Sequence, residues 1–213
     1  MLDRMFIRFL VIFLGFVGVC RSDESGMLAE DRGFVIYRDN CMDCHLTTGM
    51  GIREMNAPSI AGLPRWYVTD QLRKFRREER GSHDEDPSGI LMQMKAMTLE
   101  ERDLVFVGKY IESLAANLAR DTLGLKASEV AGGARLYVAN CIRCHGDEGE
   151  GVRSERAPPL NRQPDWYLLK QMENFRLGKR EHGDDSSVAE VDEESAKAIV
   201  GWIVGQPVRA RDE

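Results

Sequence analysis

Residues 36–76 read IYRDNCMDCHLTTGMGIREMNAPSIAGLPRWYVTDQLRKFR, and residues 136–176 read LYVANCIRCHGDEGEGVRSERAPPLNRQPDWYLLKQMENFR. Set against each other at an offset of one hundred positions, the two align without a gap, and 16 of the 41 pairs are identical. Tyr37/Tyr137, Asn40/Asn140, Gly49/Gly149, Gly51/Gly151, Pro58/Pro158, Trp66/Trp166, Tyr67/Tyr167 and Phe75/Phe175 are among them. Self-similarity at one fixed offset marks an internal duplication. The chain is therefore read as two homologous domains in tandem, which its 213 residues accommodate at about 100 residues each.

Working outward, Pro64 and Pro164 each precede an aromatic-rich segment that reads as a helix, ending at Phe75 and Phe175. Thr98-x-x-Glu101 has the form of a capping box, opening a helix with Leu104, Val107, Ile111, Leu114 and Leu118 on one face. In the second half Asp192 is placed to cap a shorter helix carrying Ala196, Ile199, Val200 and Ile203. No stretch sustains a period of two, so the expected fold is all-α with glycine- and proline-rich loops. The expected divisions are 1–22, 23–120 and 121–213, with the join between helices near residues 120–126.

Within the repeat, Cys41-Met-Asp-Cys44-His45 and Cys141-Ile-Arg-Cys144-His145 form Cys-x-x-Cys-His twice, the attachment pattern of c-type haem. Two thiols three residues apart on a helical turn reach the two vinyl groups on one porphyrin edge, and the adjacent imidazole then supplies an axial ligand to the iron. A thioredoxin-type disulfide or half a zinc site uses the same Cys-x-x-Cys spacing. The βαβ surroundings of the former are missing, and a zinc site pooling both motifs leaves two histidines over. Two haem c groups are the expected cofactors.

With these residues in view, the sequence from about Gly33 to Gly205 resembles the tandem dihaem class I cytochromes c of the cytochrome c4 type. The likeness rests on Cys-x-x-Cys-His, the Gly-x-Gly loop, Ala-Pro, and Pro-x-Trp-Tyr-x-x-x-Gln-x-x-x-Phe. A closing helix with Tyr110-Ile111 or Trp202-Ile203 completes it. The resemblance implies two small helical domains, each wrapped round a covalently held haem. It also implies that the carbonyls of Pro58 and Pro158 accept the Nδ1–H of the ligand histidines, fixing the rings as outer-shell partners do.

The family closes each haem with a methionine on a loop before the last helix, and in residues 80–101 Met92 matches that ligand, with Met94 and Met97 as neighbours that read equally as core filler. A thioether opposite histidine raises the potential of the first haem. The second half is eight residues shorter between Phe175 and Trp202, and its one methionine after His145, Met172, matches Leu72 in the aromatic helix. Two outcomes stay open for the second haem, an open distal face or ligation by His182, which lies at nearly the same distance from its haem motif as His83 does in the first half. Either lowers its potential below that of the first haem.

The body of the chain is globular, with 43% hydrophobic and 30% charged residues. Its N-terminus carries Arg4 and Arg8 ahead of an uncharged apolar run ending at Cys20, the layout of a secretory signal, with retention as an anchor or lipidation at Cys20 as alternatives. Removing residues through Arg21 takes the net charge from −6 to −8. Such an acidic body is not a nucleic-acid binder, and the clusters at residues 181–185 and 190–194 read as solvated faces. The expected function is periplasmic electron transfer rather than catalysis. The resemblance implies a quinol-oxidising complex as donor and a terminal oxidase or reductase as acceptor. A sensor or peroxide-reactive protein using an open second haem is the alternative.

Overall fold

The computed structural model describes residues 29–116, 123–183 and 187–208. The expectations for segment 1–22, for Cys20, for Leu118 and for a domain boundary at residues 120–121 lie outside these residues. The first half contains α1 (Ala29–Asn40), α2 (Met42–His45), α3 (Arg65–Arg76), α4 (Pro87–Met97) and α5 (Glu101–Ser113). The second contains α6 (Ala127–Asn140), α7 (Ile142–His145), α8 (Asp165–Arg176) and α9 (Glu193–Val204). The described residues form no strand, only isolated bridges Ile52–Ala57 and Val152–Ala157 that close the same loop in each half.

Each half is built on a crossing of its first and last helices, α1 with α5 and α6 with α9. Glycine makes the crossing close. A Cβ on Gly33 would lie 2.6 Å from the Phe106 carbonyl oxygen and 2.9 Å from the Tyr110 Cβ, and one on Gly133 would run into the Ala198 carbonyl. Beside the crossings, Tyr37 and Tyr137 are fully buried, their rings 5.1 Å from Tyr110 and 4.4 Å from Trp202. Around them pack Leu63, Val68, Val107 and Ile111 in one half and Leu168, Ile199, Val200, Ile203 and Val204 in the other. A 12-residue helix such as α9 is marginal alone. It is held here by its buried aliphatic side chains, each stabilising by about 1.5–3 kcal/mol on full burial.

Helix starts largely follow their sequence signals. Pro64 and Pro164 are the N-caps of α3 and α8, and the Asp192 carboxylate accepts the Ser195 N–H at 2.9 Å to cap α9. Two expectations are corrected. Thr98 does not cap α5. Glu100 is its N-cap, with the Asp103 carboxylate accepting the Glu100 N–H at 3.1 Å, while the Thr98 hydroxyl donates to the Lys95 carbonyl and finishes α4. The segment expected as a ligand loop is instead helix α4. Asp86 accepts the Gly89 N–H at 3.2 Å, Pro87 occupies the first turn, and ILMQMKAM consists largely of good helix formers. Among the described residues, the second half has a single turn of 3₁₀ helix, Ser187–Glu190, where the first has α4.

Candidate haem-binding sites

Both Cys-x-x-Cys-His motifs fold the same way. Helix α1 ends at Asn40, the chain turns at Cys41, and α2 carries Cys44 and His45, whose N–H groups donate to the Cys41 carbonyl at 3.3 and 2.9 Å. The second motif repeats these bonds at 3.2 and 2.9 Å. The four cysteines form no disulfide. Burial pushes the Cys41 thiol up to about 12, with a neighbouring Cys44 adding to it and Lys95 opposing. Such burial disfavours the Cys41 thiolate, the form that thioredoxin-type exchange requires. Among the described residues no three or more His, Cys, Asp or Glu side chains are clustered as a metal site.

His45 and His145 are buried, and their Nδ1 atoms lie 2.9 and 3.0 Å from the carbonyl oxygens of Pro58 and Pro158. A carbonyl only accepts, so Nδ1 carries the hydrogen and Nε2 is left as a lone-pair donor. Burial lowers the basicity of both rings, against the opposing proline bonds, which keeps them in the neutral, ligating form. The proline carbonyls are themselves positioned by glycine. Gly51 and Gly151 have φ of +79° and +83°, and a Cβ at either would press on the backbone of Pro58 or Pro158, at 2.6 Å from each carbonyl carbon. The Tyr37 and Tyr137 hydroxyls tie down the far ends of the motifs, donating to the carbonyls of Leu46 at 2.6 Å and Gly146 at 2.7 Å.

In the first half these groups open on a cleft of about 1290 Å³, its mouth included, whose lining contains Cys41, Cys44, His45 and Met92. Of the candidate methionines, Met92 lines the cleft, whereas Met94 is 61% and Met97 52% exposed. The donor set fits haem c: two free thiols on one turn, an imidazole with Nε2 unclaimed by the proline, and apolar walls from Leu72 and Phe75. In the second half the His182 ring centre lies 6.1 Å from that of His145 and 4.9 Å from that of Phe175. His83 turns elsewhere, its Nδ1 accepting the Glu85 N–H at 3.2 Å.

The halves meet through a polar set that the sequence reading did not single out. Arg80 donates to Gln71 of its own half at 2.7 Å and to the Tyr167 hydroxyl of the other at 2.8 Å. Arg180 donates to Gln171 at 2.5 Å, and across the interface to Gln71 at 3.1 Å and Tyr67 at 3.4 Å. Every member of this set has its counterpart one hundred positions away, so the halves pack about a local two-fold axis. The repeat carried the signal, since the tyrosine and glutamine pairs fall inside the aligned block and the arginines four residues beyond it. Burial raises the Tyr167 hydroxyl, but Arg80 and Arg180 outweigh it and bring the group below its ordinary value. Arg80, Gln71, Tyr67 and Tyr167 also line the first-half cleft, so cationic donors face the same space as the thiols.

Comparison with known proteins agrees with this geometry. The cytochrome c family model matches residues 30–115 and 130–204, one segment in each half. The chain is 28% identical over 181 residues to a thiosulfate dehydrogenase electron acceptor of Thiomonas intermedia, covering 79% of each chain. It is 24% identical over 207 residues to cytochrome c4 of Azotobacter vinelandii, covering 92% of this chain and 96% of that one. Among solved structures, cytochrome c4 from Pseudomonas stutzeri superposes with a TM-score of 0.66 at 22% identity over 84% of this chain and 98% of that one. A thiosulfate dehydrogenase (TsdBA) from Marichromatium purpuratum superposes with a TM-score of 0.68 at 26% identity, over 83% of this chain and 40% of that one. Two Cys-x-x-Cys-His turns, two proline-held imidazoles and a duplicated helical frame place this chain in the cytochrome c family, as a dihaem class I electron-transfer cytochrome of the cytochrome c4 type.

Proposed function

We propose that the protein is a soluble carrier, not an enzyme, that works in the periplasm after export. It takes electrons from an upstream oxidoreductase, a quinol-oxidising complex or a dehydrogenase of the thiosulfate type, and delivers them to a terminal oxidase or reductase. The observation that supports this most directly is the shared interface: each half sends an arginine to the tyrosine and glutamine of the other, so the two candidate haem sites are joined by hydrogen bonds within one chain. The relatives add partner classes, since matched proteins are named as a thiosulfate dehydrogenase electron acceptor and as a subunit of a cbb3-type oxidase.

When attached, the haems supply a reversible one-electron iron couple. The chain's own residues supply the rest. Cys41, Cys44, Cys141 and Cys144 would hold the porphyrins, and His45 and His145 would present Nε2 to the irons. Met92 would close the first site with a thioether, which favours the reduced state. Leu72 and Phe75 give the first cleft apolar lining, and Arg80, which also lines it, would offer a charged donor to a carboxylate of the bound group. The excess of 35 acidic over 29 basic residues steers the protein toward basic partner surfaces, with association weakening as salt rises.

Potentiometric titration of the purified holoprotein, followed optically, tests the reading. Two unequal one-electron steps and fast reoxidation by membranes containing a terminal oxidase are expected. Reduced protein that oxidase membranes leave unchanged, while peroxide is consumed catalytically, would replace the carrier with a peroxide-reactive enzyme.

A further inference from the structure

The eight-residue deletion leaves the second half without α4 and without a methionine to stand where Met92 does, which makes the groups facing His145 the deciding feature. One side chain is brought to that histidine. His182 lies six residues beyond the end of α8, and its ring is 6.1 Å centre to centre from the His145 ring, tilted by 42°. Two imidazoles that bind one metal from opposite sides, each with about 2.0–2.1 Å between nitrogen and metal, place their ring centres roughly 6 Å apart. Rings in direct contact also reach such separations, so the distance alone does not decide between packing and ligation.

The first half supplies the control. His83 occupies the corresponding stretch, but its Nδ1 is used locally on the Glu85 N–H at 3.2 Å, and Met92 is the side chain that joins His45 in the cleft. The two halves thus place histidines at nearly, though not strictly, equivalent positions in different surroundings. His83 is half-buried and tied to its own turn, whereas His182 is exposed and its ring stands beside that of the proximal histidine.

The turn that carries His182 is braced. The N–H groups of Lys179 and Arg180 donate to the Asn174 carbonyl at 2.8 and 3.2 Å. The Arg180 guanidinium lies over the Phe175 ring at 5.0 Å, and that ring meets His182 edge to face at 4.9 Å. Gly178 and Gly183, at φ of +69° and +99°, supply the left-handed bends on either side.

We propose that His182 is the distal axial ligand of the second haem, making that site bis-histidine while the first is histidine–methionine. The assignment rests on the dihaem reading above and adds two consequences to it. The second haem is closed to carbon monoxide and peroxide, and it is the lower-potential of the two, since thioether ligation raises a haem potential and a second imidazole does not. Electrons then run downhill from the second half to the first.

The test uses the full-length holoprotein and its His182→Ala, His182→Met and His83→Ala variants. Ferric spin state is read by electron paramagnetic resonance, and carbon monoxide binding is read optically after reduction. Wild type and His83→Ala are expected to be wholly low-spin and inert to carbon monoxide. In His182→Ala half of the haem should become high-spin and bind carbon monoxide, and added imidazole should return it to low spin. His182→Met should stay low-spin with the lower step moved upward. A wild type already half high-spin, or a His182→Ala protein with both haems still low-spin and unreactive, overturns the assignment. Haem content distinguishes the two levels of the reading: fewer than two haems per chain in the wild type fails the dihaem carrier itself, whereas two haems with unchanged spectra in His182→Ala fails only the ligand. A His182→Ala protein that retains both haems and the wild-type thermal transition excludes misfolding as the source of any new high-spin signal.

Discussion

Arg80 and Arg180, one hundred positions apart, converge on the same two glutamines, each guanidinium donating to Gln71 and the Gln171 side-chain oxygen lying 3.5 Å from Arg80 and 2.5 Å from Arg180. Among the described residues neither has a carboxylate within ion-pair distance, so neutral tyrosine and amide oxygens do the holding. Further cross-links flank them, Gln163 donating to the Ser59 carbonyl at 2.9 Å, Arg156 to Asp70 at 3.0 Å and Lys179 to Glu85 at 2.9 Å. Each of the last two has one exposed partner, Arg156 or Glu85, and is of small value. The arginine pair is the part whose loss strands partners in a partly buried interface.

Replacing Arg80 or Arg180 by Ala is therefore expected to cost about 1.5–3 kcal/mol each, the range for hydrogen bonds involving a charged donor. Because the two share both glutamines, the double variant should cost clearly less than the sum of the singles. Guanidinium denaturation of the four proteins measures this. Additive losses would show that the two arginines act independently, against the shared network described here.

Helix crossing gives a second prediction. Gly33 and Gly133 allow α1 to touch α5 and α6 to touch α9 backbone to backbone, and an added Cβ has nowhere to go. Gly33→Ala and Gly133→Ala should each destabilise by about 1–3 kcal/mol through overpacking, despite alanine's better helix propensity. Gly178→Ala is the contrast, because a Cβ there meets nothing within 4 Å and only its positive φ resists. Thermal melts of the three variants rank the two effects.

The cap of α9 yields a pH dependence. The backbone N–H of Ser195, followed by its hydroxyl, holds the Asp192 carboxyl below the usual carboxylate range. A depressed folded value means the contribution is fully present above the unfolded value of about 3.9 and disappears as pH falls through the lower folded value. Asp192→Asn keeps the capping geometry without the charge. The melting temperature of the wild type should exceed that of the variant at pH 6, and the gap should close below pH 3. A gap independent of pH would mean that Asp192 acts only as a neutral acceptor.

The duplication and the haem motifs were legible because each depends on residues close in sequence or on an exact offset, whereas the histidine–proline bonds were expected only from the family resemblance. Proline at helix starts and Asp192 at the head of α9 were legible for the same local reason. The cap of α5 was misplaced by two residues, since Thr98 and Glu100 offer equally plausible local bonds and only the end of α4, where the Thr98 hydroxyl is claimed by Lys95, decides between them. The arginine pair was not legible, because its meaning lies in how one half packs on the other. His182 stayed open for a related reason: it lies one residue from the position equivalent to His83, and the direction of a side chain is fixed by what the fold places beside it.

That same limit makes Met92 the most informative substitution. Three methionines lie on α4 within six residues, yet a helix turns them to different sides, and only Met92 among them shares the cleft with His45, Met94 and Met97 being more than half exposed. Met92→Ala should lower the higher-potential step by on the order of 0.1 V or more, a fraction of the roughly 0.8 V that axial ligands span. It should also open the first haem to carbon monoxide. Met94→Ala and Met97→Ala should leave both steps in place, because truncating an exposed side chain neither unligates an iron nor empties a core. The loss of one step to the level of the other in Met92→Ala would show that the thioether alone separates the two haems. If Met94→Ala rather than Met92→Ala moved the potential, α4 would have to rotate by nearly half a turn on haem attachment, and the helix described here would not be the one that closes the site.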